Sequence, residues 1–233
     1  MSVVADILQA VAVFLAGLFA RLGIFLAMLA VLLLPALVIA LGRRWVGARR
    51  GRALGLRRVA GLVFRPGAWY APGHTWLERR GGGALQIGLD DLALRLMPSV
   101  TAVELPRPGA TLARGDVIAR LHGGGRALAI PSPIAGTVAG VNAAVLRDPS
   151  LVKQDGYGRG WLVALAPADR AFEAFPRGGE AEAFLRREAG RFGRFLEDRL
   201  GFAAADGGEL VSPAPWLVGE EGWKALAGAF LSP

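Results

Sequence analysis

VTAVELPRPGATLARGDVIARLHGGGRALAIPSPIAGTVAGVN, residues 100–142, is the stretch whose reading decides the fold. Turn chemistry interrupts it at short intervals, at Pro106 to Gly109, Arg114 to Asp116, Gly123 to Gly125 and Pro131 to Pro133, leaving short strands in between. In PGATLARGD, Pro108 and Gly109 turn the chain and Leu112 packs inward. Gly115 and Asp116 form the next tight turn, where aspartate can bond backbone amides two residues on. SPIAGTVAGVN repeats that logic with Gly136 and Asn142. Further out, Gly81 to Gly83 and Gly156 to Gly160 punctuate the chain in the same way. Closely spaced short strands with glycine at the corners indicate a mainly β sandwich or small barrel over residues 68–169.

Residues 68–165 resemble the lipoyl-carrying H-protein of the glycine cleavage system. The resemblance runs through AWYAPGHTWLERRGGGALQIGLDDLA, VTAVELPRPGATLARGDVIARL, IPSPIAGTVAGVNAAVLRDPSLV and GYGRGWLVAL. It implies a barrel-sandwich hybrid, two small sheets with a carrier hairpin at one corner, and a family that works through a lysine on the exposed hairpin tip. Between Glu104–Pro106 and Ser132–Pro133 the spacing matches the family without a gap, so the lysine position can be counted: it falls on Gly125. The family's acidic residue three positions earlier falls on His122, and the tip reads HGGGR. Glycine offers no amine to lipoate. The chain's two lysines, Lys153 and Lys224, lie outside the hairpin segment, so the resemblance implies a scaffold kept without its cofactor. His74 and Trp76 in PGHTW match the family's fold motif and are expected to staple the first strand to the body. Asp90 and Asp91 match a turn that they solvate or cap.

The composition, 53% hydrophobic with a mean hydropathy of +0.41, exceeds what a soluble domain of 233 residues needs. Leu22 to Gly42, LGIFLAMLAVLLLPALVIALG, carries no charge, and at about 1.5 Å per residue it spans roughly 30 Å, the thickness of a bilayer's hydrocarbon core. Residues 22–42 are therefore expected to form one transmembrane helix that accommodates Pro35. Residues 1–21 are apolar but carry Asp6, Gln9 and Arg21. They are expected to lie at the interface or to continue the span; the alternative is a tight two-helix hairpin, whose turn has no signal near Arg21. A cleavable signal is not expected, because the n-region has no basic residue and no A-x-A site closes a short apolar core.

The basic connector, residues 43–67, holds Arg43, Arg44, Arg49, Arg50, Arg52, Arg57, Arg58 and Arg65 with no acidic residue, which accounts for the whole net charge of +8. The positive-inside rule then puts the C-terminal domain in the cytoplasm of a single-pass inner-membrane protein. Arg43, Arg44, Arg49, Arg50 and Arg52 are candidate contacts to anionic lipid. A pI of 11.2 does not imply nucleic acid, because no stacking platform accompanies the arginines.

Residues 170–233 change character. Leu185, Ala189, Phe192, Leu196 and Leu200 share one face of a helix over Glu180 to Leu200. Trp216, Leu217, Trp223, Leu226 and Phe230 form a second apolar set, with a short helix over Glu220 to Phe230. This tail either folds back on the β core or docks to a partner.

Catalysis is poorly supplied. The chain has two histidines and no cysteine, too few for a nucleophile–base pair placed by a third group or for a metal constellation. GGGR at 123–126 lacks the lysine and the strand-to-helix context of a phosphate cradle. No enzyme, cofactor, metal or small-molecule substrate is expected. The tip reads two ways. Either HGGGR (His122, Gly123, Gly124, Gly125, Arg126) inserts into a partner protein, with Arg126 giving a bidentate hydrogen bond, or it drifted to glycine once modification ceased. Trp216 and Trp223 are the other candidate partner contacts.

The leading expectation is a non-catalytic, non-lipoylated, membrane-anchored H-protein-like subunit, a structural or docking component of a cytoplasmic-face complex. The alternatives are a true lipoyl carrier of glycine cleavage or a related transfer pathway, and a membrane-fusion adaptor of an efflux pump. Such adaptors split their lipoyl halves with a long helical hairpin, whereas a few residues link Leu121 to Pro131.

Overall fold

The computed structural model describes residues 2–200 and 219–231; Trp216 and Leu217 lie outside that range, as do the side chains of 2–6, 43–52 and 199–200. The chain divides into two units, Met1–Arg50 and Gly51–Pro233. The first is built from α1 (Ser2–Ala53), which runs through Arg21 without a turn and contains Pro35. Its stretch Ile7–Gly42 contains an 18-residue window of mean hydropathy 3.0 and is, by length and composition, long and apolar enough to cross a membrane. Phe14, Ile24, Val31 and Leu32 are all more than half exposed, so no side of the helix is reserved for water. Arg43, Arg44, Arg49, Arg50 and Arg52 fall in α1, with their side chains outside the described residues.

The second unit is a β body. β1 (Arg57–Val59) and β2 (Leu62–Phe64) form a hairpin. β3 (Trp69–Tyr70), β4 (Thr75–Arg79), β5 (Leu85–Leu89), β6 (Ala102–Glu104), β7 (Thr111–Leu112), β8 (Val117–Gly123), β9 (Arg126–Pro131), β10 (Gly136–Val141) and β11 (Val163–Pro167) supply the two main sheets. One has six antiparallel strands in the order β3-β4-β5-β11-β10-β7, the other three in the order β6-β8-β9. This is the barrel-sandwich hybrid. In β9 the buried residues alternate, Leu128 and Ile130 inward and Ala127 and Ala129 outward. β5 is buried at every position, because both of its edges and both of its faces are covered.

One feature departs from the strands-only expectation for the β body. Short helices interrupt the β body: α2 (Asp91–Leu96), α3 (Ala143–Arg147) and α4 (Leu151–Gln154). Asp90 starts α2 by accepting from the amides of Leu92 and Ala93, both at 3.0 Å, and Asn142 starts α3 through Ala144 N at 3.0 Å. Asp90 is thus a buried cap rather than a solvated turn residue. The connector also contributes to the core, since Leu62 and Phe64 of β2 are fully buried. Asp91 ties that hairpin down by accepting from Val63 N at 2.9 Å and pairing with Arg95 at 2.9 Å.

α5 (Gly179–Leu200) buries Ala181, Leu185, Ala189, Phe192 and Leu196, the face that the apolar spacing marks. α6 (Glu220–Leu231) buries Trp223, Leu226, Phe230 and Leu231. Phe230 sits edge-on to Phe192 at 5.3 Å and to Phe195 at 5.8 Å, which locks the two helices together.

Candidate functional site

β8 and β9 pair from Val117↔Pro131 to Gly123↔Arg126, so Gly124 and Gly125 alone form the loop. Their φ values, +60° and +74°, are those of the two-residue hairpin turn that matches strand twist. Space differs sharply between the three tip glycines. A Cβ on Gly123 would lie 2.0 Å from the carbonyl oxygen of Ser99, and one on Gly124 would lie 2.5 Å from Cγ of Pro98. A Cβ on Gly125 meets nothing within 4 Å. The Pro98–Ser99 segment therefore buttresses one side of the tip and leaves its outermost residue free. Gly123→Ala is expected to cost about 3 kcal/mol or more through forced backbone movement, and Gly125→Ala about 1–2 kcal/mol through its φ alone. Urea unfolding of the two variants would check that order.

His122 is held from both sides. Its Nε2 lies 2.9 Å from Glu104 Oε1 across the β6–β8 pair, and its carbonyl accepts from Thr101 N at 2.7 Å. Arg126 turns away from the tip, with its guanidinium 5.3 Å from the centre of the Trp223 ring. Trp223 is 7% exposed and donates Nε1–H to Leu96 O at 2.9 Å. The Trp223 ring packs within its own chain, on α2 and Arg126, which is the fold-back alternative for this tail. Of the candidate contacts, His122, Gly123, Gly124 and Gly125 lie at the tip, while the Arg126 side chain lies against Trp223.

Neither lysine reaches the loop. Lys153 Nζ, on α4, donates to the carbonyls of Met97 and of Pro98, the latter at 3.3 Å, and so braces the segment that buttresses the tip. Burial lowers its pKa, with Asp91 opposing. Lys224 pairs with Glu220 at 2.6 Å along α6. Sequence reasoning missed this brace; the glycine triplet was the only trace of the close approach.

Beneath α5 and α6 lies a buried ionic network. His74, with φ +56°, sits between Asp90 Oδ2, 2.8 Å from Nδ1, and Glu188 Oε2, 3.4 Å from Nε2. Burial opposes charge on the imidazole, but the two carboxylates outweigh it and raise its pKa from 6.5 to about 9. Arg191 closes the chain at 3.1 Å from Glu188 Oε2. The network joins the β3–β4 turn, the start of α2 and α5. Among the described residues, no three His, Cys, Asp or Glu side chains are grouped to hold a metal.

A family profile described as Glycine cleavage H-protein matches residues 68–186, which takes in β3 to β11, the tip and the start of α5. The chain belongs to the glycine cleavage H-protein family. The Glycine cleavage system H protein of Shewanella sp. (strain ANA-3) is 35% identical over 102 residues, 44% of this chain and 79% of its own length. That of Pseudoalteromonas atlantica is 37% identical over 100 residues, 43% of this chain and 78% of its own length. That of Bifidobacterium longum is 39% identical over 94 residues, 40% and 68% of the two chains. A crystal structure of a glycine cleavage system H protein from Mycobacterium marinum aligns with 24% identity and a TM-score of 0.42, covering 45% of this chain and 87% of that one. α1, the β1–β2 hairpin and α6 lie outside the residues that the profile matches.

Proposed function

We propose that the chain is a non-lipoylated H-protein-like subunit, anchored in the inner membrane by α1 and serving as a structural or docking component of a complex on the cytoplasmic face. One observation carries this: the loop at the carrier corner is Gly124–Gly125, while Lys153 and Lys224 are engaged elsewhere. A packed loop, with Gly123 and Gly124 fitted against Ser99 and Pro98, supports a rigid feature presented to a partner rather than one that has drifted. The arginines after the apolar stretch support the cytoplasmic side.

The second reading, a lipoyl carrier, is favoured by the family itself. Intact mass of the full chain co-expressed with a lipoate ligase separates the two: an unmodified mass is expected, and an adduct on Lys153 or Lys224 would overturn the proposal. The absence of cysteine gives the topology test a clean background. A cysteine placed at exposed Ala183 is expected to resist an impermeant reagent on intact cells, and labelling from outside would reverse the orientation.

A further inference from the structure

The apolar part of α1 is too long for the bilayer it is read as crossing, and its one charge falls near the middle. Ile7–Gly42 contains 36 residues, about 54 Å of helix. A bilayer offers about 30 Å of hydrocarbon and about 40–45 Å with its headgroups. If only 22–42 spanned, Ile7, Val11, Phe14, Leu18 and Phe19, all exposed, would stand in water on a continuous helix. Laying that segment flat on the surface needs a break near Arg21, and α1 has none.

Tilting by about 40°, the upper end of what spanning helices adopt, brings the rise to about 41 Å, which places the whole stretch within hydrocarbon and headgroups. Arg21 then lies about 16 Å from one end and about 24 Å from the other, roughly 4 Å from the midplane. An arginine at that depth faces a counter-charge rather than lipid. Ile7–Gly42 contains no acidic residue to supply one. A parallel second copy would set Arg21 against Arg21. Helical side chains lean towards the N-terminus, over the turn that here holds Gly17, where a Cβ would meet nothing within 4 Å; this leaves room for a neighbouring backbone.

Building on the membrane-anchor reading, we propose that Arg21 pairs inside the membrane with a carboxylate on a transmembrane helix of another protein, so that α1 selects a partner as well as anchoring the chain. Two measurements on the full chain in phosphatidylcholine–phosphatidylglycerol vesicles test it. In the first, fluorophores on Ile24→Cys and Leu32→Cys are read against lipid-borne quenchers at graded depths. Ile24 is expected to be the deeper, and Leu32 deepest with Ile24 at the interface would overturn the inference while sparing the anchor. Quenching of neither label would remove both. In the second, energy transfer is measured to a synthetic leucine-rich transmembrane peptide with one central glutamate or with leucine in its place. Association at least tenfold stronger with the glutamate peptide is expected, with the preference lost in Arg21→Leu. Equal association of both peptides with the native chain would sink the pairing.

Discussion

Gly125→Lys, co-expressed with a lipoate ligase, is expected to gain one lipoyl group, whereas the native chain gains none. The position has the room: a Cβ there meets nothing within 4 Å, so a lysine stem extends outward from the hairpin without displacing Pro98 or Ser99. The cost is conformational, about 1–2 kcal/mol for placing an L-residue at φ +74°. That is a small part of a domain's usual 5–15 kcal/mol and leaves the hairpin formed. The native lysines are poor substitutes, since Lys153 is tied to two backbone carbonyls and Lys224 is paired with Glu220. Gly123→Lys is the matched control: its side chain would start 2.0 Å from the Ser99 oxygen, and no modified folded protein is expected. Intact mass and peptide mapping read both. An unmodified Gly125→Lys protein that still unfolds cooperatively would show that the corner has lost more than its amine, and would point to His122 in the place of the family's acid.

How much of this was legible in advance depended on the range of the interaction. The turns at Pro108–Gly109 and Gly115–Asp116, the face of α5 and the extent of α6 follow from neighbours a few residues apart, and the sequence carries them directly. The tip glycines were visible as a triplet. That Gly123 and Gly124 are fitted to Ser99 and Pro98 was not, because that contact crosses from the segment after α2 to the β8–β9 turn. Trp223 shows the same limit. Its amphipathic spacing announced a buried face, yet spacing cannot say whether the cover is a partner or Leu96, 127 residues away. α2 was missed because six residues carry too little periodicity; Asp90 was its one signal, and a cap reads like any turn aspartate until its amides are seen. The PGHTW motif marks His74 as a staple, but the carboxylate that completes the staple, Glu188, comes from a helix the motif does not include.

That network makes the loss of His74 costly to the β body. His74→Ala leaves Asp90, fully buried and still bonded to the amides that start α2, facing an unfilled cavity and Glu188 with no cation between them. Breaking a buried pair by removing one partner costs about 3–5 kcal/mol. His74→Gln, which keeps a donor in the same space, is expected to lose less. The pH dependence separates an ionic role from simple packing. Because folding raises the imidazole from 6.5 to about 9, the stabilisation is complete below about 6.5 and fades as the pH climbs through about 9. A shift of this size is worth about 3 kcal/mol between those limits. Glu188 sets the acid side: burial works against its charge, but His74 and Arg191 prevail and hold its pKa below 4.5, so its contribution is present above 4.5 and falls away at lower pH. Denaturant unfolding of the full chain in detergent, followed by tryptophan fluorescence, should therefore show the native protein losing stability between pH 6.5 and 9 while His74→Gln stays nearly flat. Parallel slopes for the two proteins would mean that His74 is neutral in the fold and that the three elements are held by packing of Phe184 and Phe230 against its ring, at 6.0 and 6.2 Å, rather than by charge.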